Sequence, residues 1–405
     1  MHRTVCTDRR EREMSMEFHT KVQFLEQPEH GRRTIVISDI HAHRRWLERL
    51  LAKIDFSEKD MLIILGDMIE KGPESLETIR YIMQLCEKHT VYPMMGNVDL
   101  WRIEMLLAED GSLDKELYET NERMRQYWKN TFFQDLCREA GVTVERPEDI
   151  PAARAAILSG FQKELDFMKE LPSILVTPSF LFVHGGLVHE KLEDNFELPP
   201  FSLLKNDDFI SQGKHFDKYV VVGHWPVCLY RSDIECSAPY ISREQKIISI
   251  DGGCGIKRDD QLNALILPDL YTEKTEWESV DDFPEAVILE DQKAGNTSIN
   301  IRYYESGLQI LEPGPVFSLA EHVKTGYQLK IYNGFLEEPP VKGKANTCWE
   351  YTDYQIPLKK GDKVSILQET PEGTMVRKRG VTGWYYGKFQ IQNGTDRRTV
   401  SENQT

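Results

Sequence analysis

The chain has no surplus of positive charge, no paired-cysteine pattern and no long apolar run. Asp and Glu number 66 against 50 Lys and Arg, a formal net charge of −16, with an isoelectric point near 5.3. That balance argues against a general nucleic-acid or anionic-membrane binder, which needs a basic surface. The seven cysteines (Cys6, Cys86, Cys137, Cys228, Cys236, Cys254 and Cys348) are odd in number, widely spaced and without a Cys-x-x-Cys pair. This excludes a regular disulfide framework and suits reduced, cytosolic thiols. No stretch reaches the ~20 apolar residues of a membrane span. Met1 to Glu17 carries the charged run Arg9-Arg10-Glu11-Arg12-Glu13 where a signal peptide would have an apolar centre. The expected location is therefore cytoplasmic, with no membrane and no nucleic-acid partner. Residues 1–32 read as an N-terminal tail, within which Met14 and Met16 are candidate starts.

What is present is an ordinary globular composition, 40% hydrophobic and 29% charged, over 405 residues. It rules against a disordered chain and implies more than one domain. Thr34-Ile35-Val36-Ile37, Met61 to Leu65, Phe180 to Val183 and Tyr219 to Val222 are short, β-branched-rich and bounded by turn residues, so they read as buried strands. A polar group follows each: Asp39-Ile40-His41, Gly66-Asp67, His184-Gly185-Gly186 and Gly223-His224. A fifth, Gly96-Asn97, follows a weaker run, Val91 to Met95, interrupted by Pro93. Amphipathic stretches between several of these runs suggest βαβ units. In open α/β sheets sites lie outside the carboxyl ends of the strands, where all five groups would converge. Carboxylates, imidazoles and one amide oxygen make an oxygen and nitrogen donor set suited to Mn, Fe, Zn or Ni. Two such ions a few ångströms apart can share a carboxylate and a hydroxide, an arrangement used for in-line attack on phosphorus.

The order of these five motifs resembles the calcineurin-like metallophosphoesterase superfamily, in particular its bacterial phosphoprotein-phosphatase-like branch, related to the symmetrical diadenosine tetraphosphatases. The resemblance covers about residues 33 to 268, and His184-Gly185-Gly186-Leu187 and Ile250-Asp251-Gly252-Gly253-Cys254-Gly255 are its most branch-specific parts. It implies an α/β fold: a four-layer αββα sandwich. It also implies two divalent ions, with Mn²⁺ as the first choice. The first would be held by Asp39, His41 and the bridging Asp67, the second by Asp67, Asn97, His184 and His224. Asp67 would also be catalytic, through the hydroxide it helps to hold. The glycine-rich late stretch would pack beside the site.

The departures from the family pattern carry as much information. The usual Gly-Asn-His-Glu or Gly-Asn-His-Asp reads Gly96-Asn97-Val98-Asp99, so the histidine that would protonate the leaving group is absent. The usual Gly-Asp-x-x-Asp-Arg-Gly reads Gly66-Asp67-Met68-Ile69-Glu70-Lys71-Gly72, and Met95 stands where an arginine often precedes Gly-Asn. Lys71 remains a candidate phosphate ligand, as a point charge without the bidentate fork of arginine. Arg102 is a second candidate phosphate contact. Three readings of Val98 stay open: another acid, with His43 and Glu70 as candidates; a substrate with a good leaving group; or a metal-binding, inactive scaffold. A general acid is worth ~10²–10⁴-fold, so its loss lowers activity without abolishing it.

Residues 33–275 are expected to form the catalytic domain. Within it, 100–171 would be a helical insertion built on Leu113 to Glu139 and Pro151 to Glu170. A linker and β-rich region is expected over 276–349, with strands at Ser298 to Tyr304, Leu308 to Leu311 and Gln328 to Tyr332. Residues 350–392 resemble a bacterial SH3-like barrel, by the turn at Pro371-Glu372-Gly373 and the Gly383-Trp384 pair. That resemblance implies a peptide partner, with Trp384, Tyr385 and Tyr386 as the aromatic groove, although Trp384 equally suits the barrel's own core. Residues 393–405 read as a polar, disordered tail. The expected function is metal-dependent phosphoric ester hydrolysis, with a Ser/Thr phosphoprotein as leading substrate and a dinucleoside polyphosphate or phosphodiester as the alternative.

Overall fold

Alternate residues of the buried strands face two different cores, and this places the layers. The computed structural model describes residues 18–392 apart from 109 and 129. Residues 1–17 of the expected N-terminal tail and the expected polar tail from 393 lie outside the described residues. The described chain divides into two units, one over 18–230 and 239–281, the other over 231–238 and 282–392.

In the first unit β1 (Val22–Phe24) precedes a βαβαβ run: β2 (Thr34–Ile37), α1 (Arg44–Lys53), β3 (Met61–Ile64), α2 (Ser75–Lys88) and β4 (Thr90–Pro93). The expected βαβ units form, because β2, β3 and β4 pair in parallel. Five helices follow: α3 (Asn97–Leu107), α4 (Asp114–Trp128), α5 (Phe132–Ala140), α6 (Ile150–Gly160) and α7 (Gln162–Lys169). The run read as one helix from Leu113 to Glu139 is broken near Thr131, whose hydroxyl caps α5 by accepting the Gln134 amide at 3.2 Å. Pro151 to Glu170 likewise divides, at Phe161.

The chain then returns to strands: β5 (Ile174–Val176), β6 (Phe180–Val183), the short helix α8 (Pro200–Leu204), β7 (Tyr219–Val222), β8 (Tyr240–Ser242), β9 (Ile247–Ser249), β10 (Leu262–Leu267) and β11 (Glu276–Val280). They complete a six-stranded sheet ordered β1-β5-β6-β7-β9-β8 and a five-stranded sheet ordered β11-β10-β2-β3-β4. Val36, Ile63, Phe182 and Val221 meet in the core between the sheets. Ile35, Ile37, Leu62 and Ile64 pack instead with α1, α2 and α3, and Leu181, Val183, Val220 and Val222 with α8 and its neighbours. The period-two alternation of strands thus produces four layers, αββα, from residues that are apolar on both faces. Among the described residues no helix is long and apolar enough to cross a membrane, and no disulfide forms.

The second unit is all antiparallel β. One sheet is ordered Val381–Tyr385, Gly373–Lys378, Lys363–Thr370, Glu285–Ile288, Phe389–Ile391, and another Gln328–Tyr332, Phe317–His322, Gly307–Glu312, Ala345–Thr347. Three boundaries differ from expectation. Val22–Phe24, within the residues read as a tail, is a strand of the first unit that pairs with β5. Glu276–Val280, read as the start of a linker, is an edge strand of the first unit, where it pairs with β10. Glu285–Ile288 sits between Lys363–Thr370 and Phe389–Ile391, so the C-terminal sheet draws a strand from outside 350–392. Long-range pairing of this kind leaves no mark in a local window. Trp384 and Tyr385 are both buried, in the cores of this unit, and only Tyr386 of the expected aromatic trio is exposed.

Candidate active site

The loops after β2, β3 and β7 are built from residues in the left-handed backbone region. Asp39, His41, Ala42, Asp67, Glu70, Lys71 and His224 have φ between +44° and +66°. Each such residue costs on the order of 1 kcal/mol for a non-glycine side chain, and clusters of them mark functional sites. Hydrogen bonds between the loops hold them there: Asp39 N donates to Gly66 O at 3.1 Å, His41 N to Asp67 O at 3.0 Å and Gly223 N to His184 O at 2.8 Å. Gly66 and Gly96 are required by close approach. A Cβ on Gly96 would lie 2.1 Å from the Asp67 amide, and one on Gly66, at φ +85°, would lie 2.6 Å from Gly96 Cα. Asp99 clips the same two loops by accepting from Met68 N and Gly96 N, each at 3.0 Å.

These loops bring all six expected metal ligands to the carboxyl ends of the strands. Asp39, His41 and Asp67 present ligand atoms within 4.8 Å of one another, all buried. His41 Nε2 is 3.7 Å from Asp39 Oδ1 and 3.7 Å from Asp67 Oδ2. The other Asp67 oxygen, Oδ1, lies 3.4 Å from His184 Nε2, which is itself 3.0 Å from Asn97 Oδ1. The His224 ring is 5.4 Å from that of His184. Backbone carbonyls orient two of the rings: Ile69 O lies 3.3 Å from His41 Nδ1 and Leu65 O lies 2.7 Å from His184 Nδ1. Both rings therefore turn Nε2 toward the carboxylates.

The electrostatics fit a bound cation. Burying carboxylates is costly unless positive charge is at hand, yet Asp39, Asp67 and Asp251 are all within 2% of full burial. Asp39 Oδ2 accepts from Ser38 Oγ at 2.5 Å and His224 N at 2.9 Å, while Asp39 Oδ1 and Asp251 Oδ2 have no hydrogen-bond partner. Burial and the Asp67 charge push Asp39 upward. Burial also tends to raise Asp67, but His184, His41 and Lys71 outweigh it and hold that carboxyl far below its usual range. Burial lowers His184, yet the Asp67 and Asp39 charges override it and raise the imidazole to about 10. His41 moves the other way, well below its usual value, through burial and the nearby Lys71 ammonium. The Lys71 Nζ donates to the His41 Nε2 lone pair at 3.0 Å, a cation already seated against a proposed ligand atom.

The auxiliary residues fall less neatly. Lys71 lies beside His41. Glu70 and Arg102 bind each other instead, with Arg102 Nε 2.6 Å from Glu70 Oε1 and both side chains fully buried. Phe132 N also donates to that oxygen at 3.3 Å. This pair corrects the expectation of Glu70 as acid and Arg102 as phosphate ligand, since each is engaged by the other inside the core beneath α3. His43 directs Nδ1 to the His41 carbonyl at 2.7 Å and its ring lies 5.2 Å from Trp46, bracing the ligand loop. Val98 packs into the core, and its amide donates to Asp67 Oδ1 at 2.9 Å. The late glycine-rich stretch packs beside the site, with Cys254 Sγ donating to Ile40 O at 3.6 Å.

Sequence reasoning passed over Asp207 and Lys205. Asp207 Oδ1 accepts from His224 Nε2 at 2.7 Å and also takes the Lys205 ammonium. Burial tends to raise Asp207, but His224 and Lys205 hold it well below the usual carboxylate range. His224 is lowered to about 4, chiefly by burial. No strand precedes Lys205-Asn206-Asp207-Asp208, so the motif logic that found the other groups had nothing to attach to.

The profile of the calcineurin-like phosphoesterase family matches residues 32–245. A symmetrical bis(5'-nucleosyl)-tetraphosphatase of Shewanella loihica is 44% identical over 68 residues, 16% of this chain and 24% of that protein. The enzyme of the same name from Legionella pneumophila is 29% identical over 153 residues, 36% and 52% of the two chains. The chain thus spans about half or less of the length of these curated relatives. Among solved structures, a putative diadenosine tetraphosphatase aligns at 19% identity and TM-score 0.38 over 65% of this chain and 98% of that one. A Ser/Thr phosphatase from Saccharomyces cerevisiae aligns at 12% and 0.38, over 65% and 84%. With more than half of its length matched by the family profile, this chain belongs to the calcineurin-like phosphoesterase family.

Proposed function

We propose that the chain is a binuclear metal-dependent hydrolase of phosphoric esters and anhydrides, with one ion at Asp39, His41 and Asp67 and the other at Asp67, Asn97, His184 and His224. Asp67 carries the reading: one oxygen addresses His41 and the other addresses His184, so a single carboxylate serves both groups. Divalent ions there, with Mn²⁺ the first choice and Fe, Zn or Ni compatible with the donors, would polarise a phosphoryl oxygen and lower the pKa of the attacking water. The chain's own residues do the rest. The loop hydrogen bonds would fix the ligands before substrate arrives, and the Lys71 ammonium, displaced from His41 Nε2 by an ion, would hold a phosphoryl oxygen.

Val98 decides the ranking of substrates. A seryl alkoxide needs a proton as it leaves, whereas a nucleoside phosphate released from a polyphosphate leaves as a stable anion. Dinucleoside polyphosphates therefore move ahead of the phosphoprotein expected first from the sequence, in line with the names of the relatives. The phosphoprotein remains the second reading, favoured by the all-β unit. We assign residues 350–392 of that unit as an SH3-like module for an extended peptide. Supporting this, a groove of about 420 Å³ is lined by Phe317, Tyr351, Trp384 and Tyr386 with Asp353 and Glu372.

The test is to load the full chain with Mn²⁺ and compare diadenosine tetraphosphate, p-nitrophenyl phosphate, its bis ester and a phosphoserine peptide. Diadenosine tetraphosphate is expected to turn over fastest and the phosphoserine peptide slowest. Equal rates across leaving-group acidity would remove the argument from Val98. Binding of two ions with no turnover of any substrate would identify a scaffold.

A further inference from the structure

His224 differs from the other two histidines of the site in how its ring is held. His41 and His184 are braced at Nδ1 by backbone carbonyls and turn Nε2 inward. His224 is braced at Nε2, 2.7 Å from Asp207 Oδ1, so that the nitrogen left for the site is Nδ1. Its brace is also a carboxylate rather than a carbonyl. A carboxylate accepting from the distal N–H fixes the tautomer and makes the other nitrogen a stronger donor. The Lys205 ammonium binds the same Asp207 oxygen and lies 3.4 Å from His224 Nε2. Gln212 Nε2 donates to the Asp207 carbonyl at 3.0 Å. Asp207 is thus held at its carboxylate by Lys205 and at its backbone carbonyl by Gln212.

Resting on the two-ion reading above, we propose that Asp207, with Lys205 as its anchor, is a positioning residue that presents His224 Nδ1 to the second ion and sets the affinity of that half of the centre. The arrangement is open where the rest of the cluster is closed: the Asp207 side chain is 50% exposed, while those of Asp39, His41, Asp67 and His184 are 2% or less. The second ion is then the one whose retention can be altered without disturbing the packed core.

Titration of the full chain with Zn²⁺ by calorimetry tests this, together with ¹⁵N-histidine NMR of the metal-free protein. The wild type should show two binding steps. Asp207→Ala should weaken one step by ~10–100-fold while leaving the other within about twofold of wild type, and should mix the two His224 tautomers. Asp207→Asn, which keeps an acceptor but no charge, should hold the tautomer and weaken the same step less. This second variant decides the matter if the alanine variant fails to fold. Two wild-type steps that neither folded variant changes would overturn the role of Asp207 alone. A wild-type chain that binds no Zn²⁺ would overturn the two-ion reading and this inference with it.

Discussion

The two halves of the cluster are built by different means. The half at Asp39 and His41 is closed: its side chains are 1% and 0% exposed, they come from one short loop after β2, and Lys71 lies against them. The half at Asn97, His184 and His224 is assembled from the ends of β4, β6 and β7, spread over more than a hundred residues of sequence, and ends at the half-exposed Asp207. Asp67 belongs to both. The contrast teaches that one half of a site can be held by local backbone geometry and the other by side chains borrowed from distant loops.

The largest effect should follow from removing what the halves share. Asp67→Asn takes away the charge that serves both groups, and turnover should fall to background; measurable activity would show that the halves work independently. Next, Arg102→Met strands Glu70 in the core and should cost ~3–5 kcal/mol of stability, read as a drop in the denaturant midpoint. A stable variant would mean that this sealed region tolerates an unpaired charge. Restoring an acid by Val98→His should raise turnover of an alkyl phosphomonoester ~100-fold and leave diadenosine tetraphosphate nearly unchanged. A gain for both substrates would contradict the leaving-group argument. The smallest change should come from Lys205→Met at the open edge, less than ~1 kcal/mol in denaturation, because that pair is 22% and 50% exposed. A loss as large as that of Arg102→Met would erase the distinction between the halves.

Much of this was legible in the chain itself. Thr34 to Ile37 and Tyr219 to Val222 read as buried strands because β-branched runs bounded by turn residues have few alternatives, and each ligand follows its strand within a few residues. Glu70 and Arg102 were misread because two charges near a motif look available in a linear sequence, and only α3 packing over the β3 loop brings them together. Asp207 was missed for the converse reason, since nothing local ties it to His224. Glu285–Ile288 joined the C-terminal sheet across more than 70 residues, and a four-residue strand does not announce its partner.

By itself, then, the sequence determined the buried strands that lead into the site, the order of the six candidate ligands and the valine that departs from the family pattern at position 98, all consequences of short-range pattern and residue chemistry. Tertiary structure decided which charges neutralise one another, which aromatics fill cores and which nitrogen of His224 faces inward. Those outcomes depend on burial and on hydrogen bonds between residues far apart in the chain, and burial exists only after the layers have closed.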